Sequence, residues 1–280
     1  MLRLAALIAL FALLHVGPAA AAPIHLQVED ASSLILAATT SQKVISKTET
    51  LHEITVTLDL GASLALYRKL GARLSNNGAP MTDLSMTLTY LTSTMAVSEM
   101  REYLQVTVSD IRIAALDAAT RVPVQAVVRM QARGMRLIKS DRLNSTIGAK
   151  PSSILSSAFR FGVATFDAGR IERVSALSLV PCAQRLCDSI LQFEIIVVGD
   201  AISNWRAKLE DVSRGLTTTF DGQLALLTSD MSSELMRFEL ASMVPITIID
   251  EAPTASGAKS GPSQPRATVR LRALRVRTTF

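Results

Sequence analysis

Residues equipped for chemistry are few in this chain of 280 residues, which holds three histidines and two cysteines. His25 and His52 stand outside the apolar leader that contains His15. Neither belongs to a metal-spaced pair, and each reads as a surface or partly buried side chain rather than a ligand or base. Cys182 and Cys187 are separated by four residues. A redox Cys-x-x-Cys motif needs two between, and a zinc site would need further ligands, so the spacing favours a local disulfide that staples a loop. Gly-x-Ser-x-Gly is absent, which removes the nucleophile-elbow reading of the serines. Glu210-Asp211 and Asp250-Glu251 are adjacent, so the first pair splays apart on a helix and the second sits at a strand end. Nothing in their spacing favours paired-acid hydrolysis. The chain therefore reads as non-enzymatic, with no cofactor and no metal.

One concentrated charge feature remains, the run Arg266, Arg270, Arg272, Arg275 and Arg277. Arg270 and Arg272 share a strand face, and Arg275 and Arg277 have the opposite parity. A bulge near Ala273-Leu274 would bring all four to one side. They would then make a basic surface for an acidic partner or polyanion, or else guard an edge strand against unwanted pairing; the second reading is the favoured one. Asn144-Ser145-Thr146 matches a glycosylation acceptor.

The elements that must carry these residues form an aliphatic protein. Hydrophobic residues make up 49% and charged residues 19%, which excludes a disordered chain, while aromatics at 4% leave the core to Leu, Val, Ile, Ala and Met. Residues 1–21 read as a signal peptide: Arg3 starts it, Leu4 to Val16 is apolar, and Ala19-Ala20-Ala21 offers the small-x-small pattern. Cleavage after Ala21 is favoured over Ala22, because Pro23 would follow the second cut. The apolar run is too short for the roughly 20 residues that span a bilayer. A periplasmic or secreted location follows, with no stable membrane insertion after cleavage. The formal charge of +5, part of it Arg3, is too mild to argue for nucleic acid.

An internal near-repeat organises the rest. Ile54–Gly61 alternates as a half-buried strand, and Ser63–Leu74 follows with Leu64, Tyr67, Leu70 and Leu74 at helical spacing. Phe193–Asp200 and Ala201–Ser213 repeat this, with Ile202, Trp205, Leu209 and Val212 on one face and Asp200 placed as N-cap. Met86–Leu91 matches Gln223–Thr228, Leu104–Leu116 matches Phe238–Ile249, and Val128–Ala132 matches Val269–Ala273. The predicted fold is mainly β with α (α+β), two tandem antiparallel sandwich or barrel domains, each with one flanking helix. Their expected bounds are 22–140 and 158–280, joined by a linker over 141–157.

The second half resembles the tail-tube proteins of contractile phage tails and their relatives in secretion machines. Phe159–Val163 followed by Gly169–Leu177 looks like that family's opening hairpin. Trp205 sits on the helix where the family usually has a Trp, and Asp221–Leu227 looks like the strand after it. Arg237–Leu240 with Pro245–Ile248 resembles the aromatic strand and the Pro-led strand that follow. Ala176 replaces a usual Gly, and the two cysteines are foreign to the pattern. The resemblance covers residues 158–280 and reaches the first half only through the repeat. It implies a structural role, in which open sheet margins of one subunit are satisfied by the next. The expected partner is a further copy of the chain, three chains completing a six-domain ring, or else another protein. A periplasmic or secreted binding module that uses the fold without polymerising is the alternative. A hydrolase built from scattered residues ranks third.

Overall fold

The computed structural model describes residues 22–46, 50–75, 84–139, 153–179, 191–216, 219–252 and 264–279, with backbone alone for 71–75. The leader, Cys182, Cys187, the Asn144 acceptor and most of the expected linker lie outside the described residues. The described residues are mainly β, with two helices and two antiparallel sheets. The first half supplies β1 (Ile24–Val28), β2 (Ala31–Ile35), β3 (Ala37–Val44), β4 (Thr50–Asp59), α1 (Leu64–Ser75), β5 (Leu84–Leu91), β6 (Val97–Ile113), β7 (Leu116–Asp117) and β8 (Gln125–Ile138). The second supplies β9 (Phe159–Val163), β10 (Arg170–Val174), β11 (Leu177–Leu179), β12 (Leu191–Val198), α2 (Ile202–Ser213), β13 (Phe220–Leu227), β14 (Glu234–Asp250) and β15 (Arg266–Thr279).

Period-2 patterning decides which face of each strand is buried. In β8, Ala126, Val128, Met130 and Ala132 point into the core while Arg129, Gln131 and Arg133 point out. β15 repeats this with Ala267, Val269, Leu271 and Ala273 inside and Arg270 and Arg272 outside. Each buried Val, Leu or Met contributes roughly 1.5–3 kcal/mol. One contiguous hydrophobic cluster takes in residues of both sheets. The helices close it: α1 buries Leu66, Tyr67 and Leu70, and α2 buries Ile202 and Trp205. Trp205 donates its indole N–H to the Ala168 carbonyl (3.1 Å) and meets Phe166 and Phe220 edge-on, at 4.9 and 5.8 Å between ring centres.

Strand order recurs. The first sheet runs β2-β1-β5-β6-β8-β4-β3 and the second β7-β10-β12-β15-β14-β13-β9. Read from β1 and from β9, six strands follow in the same sequence. Leu84, Val106, Ala132 and His52 lie abreast in the first sheet, as Phe220, Met243, Ala273 and Leu191 do in the second. The irregularities recur as well. β6 slips against β8 between Val108 and Asp110, and β14 slips against β15 between Pro245 and Thr247. Left-handed backbone appears at Met95 and Gln105 in one half and at Met231 and Ser242 in the other. Such φ values are uncommon outside glycine, so their matched positions mark one backbone plan used twice.

Three local expectations are corrected. Phe159–Val163 and Gly169–Leu177 do not form a hairpin: β9 pairs with β13 and β10 with β12, at opposite margins of their sheet. Between them Phe166 packs edge-on against Trp205 and Phe220, which holds the connection to the core. Ala201, not Asp200, is the N-cap of α2, with no side-chain cap; Asp200 contributes only its carbonyl, to Ser203 N (3.1 Å) and Oγ (2.7 Å). The bulge expected at Ala273-Leu274 is not on β15. The extra residue is Ile246 on β14, opposite the Arg270–Leu271 step.

Candidate assembly interface

Sheet margins are where this backbone meets itself. β7 leaves the first half to pair with β10 in the second sheet, Asp117 opposite Arg173 and Leu116 opposite Val174. β11 leaves the second half to pair with β6 in the first sheet, Leu177 opposite Ile113 and Leu179 opposite Ile111. β5 covers that side of β6 only as far as Val106, which leaves the stretch that β11 occupies. The two halves are thus joined by reciprocal strand addition, each satisfying donors and acceptors that the other leaves open.

Side chains reinforce the joint. Arg173 donates to the Asp117 carboxylate at 2.8 Å, and Ser178 Oγ donates to Asp110 at 2.9 Å. The Arg173 guanidinium, with the Ala119 N–H, holds the Asp117 carboxyl below its ordinary range. Backbone bonds run alongside, from Ala118 N to Glu172 O and from Val124 N to Ile154 O, both 2.8 Å. Residues 153–157, the described end of the expected linker, follow Val122–Val124 here, and Ser156 is buried with its hydroxyl on the Thr120 carbonyl (2.9 Å). A second contact places α1 against β15, with Thr278 beside Tyr67; burial pushes the Tyr67 phenol up.

Other margins stay open. Among the described residues β3 pairs only with β4, and its distal end with the two residues after it, Ser41 to Ser46, is exposed throughout, including Val44 (73%) and Ile45 (52%). Among the described residues β9 has no partner strand beyond β13. On the side of β14 away from β15, β13 pairs only as far as Met243, and no strand among the described residues covers Val244–Asp250.

Arg270, Arg272, Arg275 and Arg277 are all exposed. Arg270 and Arg272 lie where β15 is flanked by both β12 and β14, so they guard no edge, whereas at Arg275 and Arg277 only β14 pairs with β15 among the described residues. Arg270 grips Glu194 through two bonds, 2.9 and 2.7 Å. The candidate acids are engaged in structural pairs. Glu210 meets Arg214, Asp211 meets Lys208 (3.3 Å), Asp250 meets Arg206 (2.5 Å), and Glu251 accepts from Thr268 (2.7 Å). His25 is buried in β1, and His52 stands edge-on to Tyr103 at 6.0 Å. Among the described residues no group of three or more His, Cys, Asp or Glu is placed to hold a metal ion, and no helix is long and apolar enough to cross a membrane. β7 and β11 escape sequence reading, because two and three residues are too few to show a period.

No protein-family model matches the chain, and no curated protein matches it. Solved structures do. One is a chain of the sheath–tube complex of an extracellular contractile injection system (PVC) in its extended state, 12% identical, TM-score 0.30, over 43% of this chain and 87% of that one. Another is Hcp1 from Flavobacterium johnsoniae, 13% identical, TM-score 0.32, over 41% of this chain and 94% of that one. A third belongs to the baseplate of the anti-feeding prophage, 10% identical, TM-score 0.25, over 62% and 93%.

Proposed function

We propose that this is an exported, non-enzymatic structural protein that works by associating with further copies of itself through its sheet margins. The observation that carries this reading is the reciprocal strand addition inside the chain, β7 onto β10 and β11 onto β6. Two halves with the same strand order already use open margins as their joint, and comparable margins on β3, β9 and β14 have no partner strand among the described residues. The resemblance of residues 158–280 to tail-tube proteins points the same way, and three chains would supply six such units for a ring. The leader at residues 1–21 supports export to the periplasm or beyond.

Light scattering on the mature chain, residues 22–280, across a hundredfold range of concentration tests the reading. Oligomers that grow with concentration, and rings under negative stain, are the expected result. A species that stays monomeric at the highest concentration overturns it.

A further inference from the structure

The in-chain joint has two faces, and each half carries a counterpart of the face it does not use. On the first half the used face comprises the end of β6, β7 and α1; on the second it comprises β10, β11 and the end of β15. Shared partners fix the counterparts. Ile111 and Ile113 stand opposite Val128 and Ala126, just as Ile248 and Asp250 stand opposite Val269 and Ala267.

Burial differs sharply between these matched positions. Ile111 and Ile113 are buried where β11 pairs with them, whereas Asp250 is exposed and Ile248 only half-buried. Ile249, next to them, is 58% exposed. The other face shows the same contrast. Val174 pairs with Ile195 and Ala38 with Val56, equivalent places in the two sheets, so the counterpart of Leu177–Leu179 is Ser41–Lys43. Its side chains are exposed on both faces, and β4 pairs along one of its two edges. The counterpart of Thr278 is Leu137, 65% exposed at the end of β8.

Both unused faces complement each other and lie on opposite halves, so one chain cannot close them on itself as it closes the first joint. We propose that copies join head to tail by repeating the in-chain joint, with Ser41–Lys43 of one copy adding as a strand to Ile248–Asp250 of the next. This rests on the self-association reading above and names its partner surfaces and register: Ser41 opposite Asp250, Gln42 opposite Ile249, Lys43 opposite Ile248. Such a contact is heterologous, and it closes into a ring or runs on as a filament. Asp250, in an ion pair with Arg206 at 2.5 Å, occupies the place of Ile113. The joint between copies is therefore more polar than the joint within a chain, and weakens with salt.

Cross-linking tests this. Gln42→Cys and Ile249→Cys are made in separate, differently tagged full-length mature chains, with the wild-type chain as the blank for Cys182 and Cys187. Both positions are surface ones, so folding is retained. The expected result under mild oxidation is a linked dimer carrying both tags, formed in the mixture and absent from either variant alone. Light scattering on the same samples separates the outcomes. Assemblies without the mixed cross-link overturn the register and leave self-association standing. A Gln42→Cys chain that links to itself overturns the head-to-tail arrangement. No assembly and no cross-link overturn both.

Discussion

Trp205 is the one tryptophan of the chain, and its place shows how much a single side chain decides here. It is fully buried, its N–H is spent on Ala168, and two phenylalanines meet it edge-on. Trp205→Ala removes all of this, and an unfolding-midpoint comparison should give a loss of about 3–5 kcal/mol. Gly169 has φ of +75°, and a Cβ there would collide with that of Ala201. Gly169→Ala should therefore cost on the order of 1–3 kcal/mol in the same assay, and loss of only a few tenths would speak against that backbone. His25 makes a prediction about pH. Burial depresses its imidazole below the ordinary value of 6.5, so the folded state holds the neutral ring while the unfolded chain takes up the proton first. The stabilisation is complete above about 6.5 and is lost as pH falls towards the folded-state value. The urea midpoint should drop between pH 7 and pH 5, and His25→Gln should flatten that drop.

At the level of elements, sequence periodicity located the long strands and both helices, because each buries a continuous stripe. Val128–Ala132 and Val269–Ala273 were legible as partners for that reason, since small and branched residues alternate with polar ones in both. What periodicity misses is destination. Phe159–Val163 and Gly169–Leu177 each read as strand, yet nothing in them says that one pairs with β13 and the other with β12. Likewise Leu177-Ser178-Leu179 carries no mark of belonging to the other half's sheet, because strand addition uses backbone groups that every residue has. A proline there distinguishes backbone from side chain. Ser178→Pro removes an N–H on a strand whose neighbours are all in the joint, and should destabilise the chain by a few kcal/mol, whereas Ser178→Ala forfeits only the bond to Asp110, about 1 kcal/mol. Equal effects from both substitutions in chemical denaturation would deny the pairing.

For the molecule as a whole, the two sheets share one hydrophobic cluster and exchange strands. Unfolding should therefore be a single transition. Trp205 fluorescence reports the second half, and far-UV circular dichroism reports both. Their midpoints should coincide in urea, and separate transitions would show halves that stand alone.

The reciprocal exchange of β7 and β11 has a consequence for any closed structure made from this polypeptide. Modules arrive in covalently tethered pairs, so only even numbers fit, and true rotational symmetry is half the apparent one. Tethering also sets a high effective concentration for every second junction. Dilution would then sever alternate junctions only, and disassembly would halt at intact single chains.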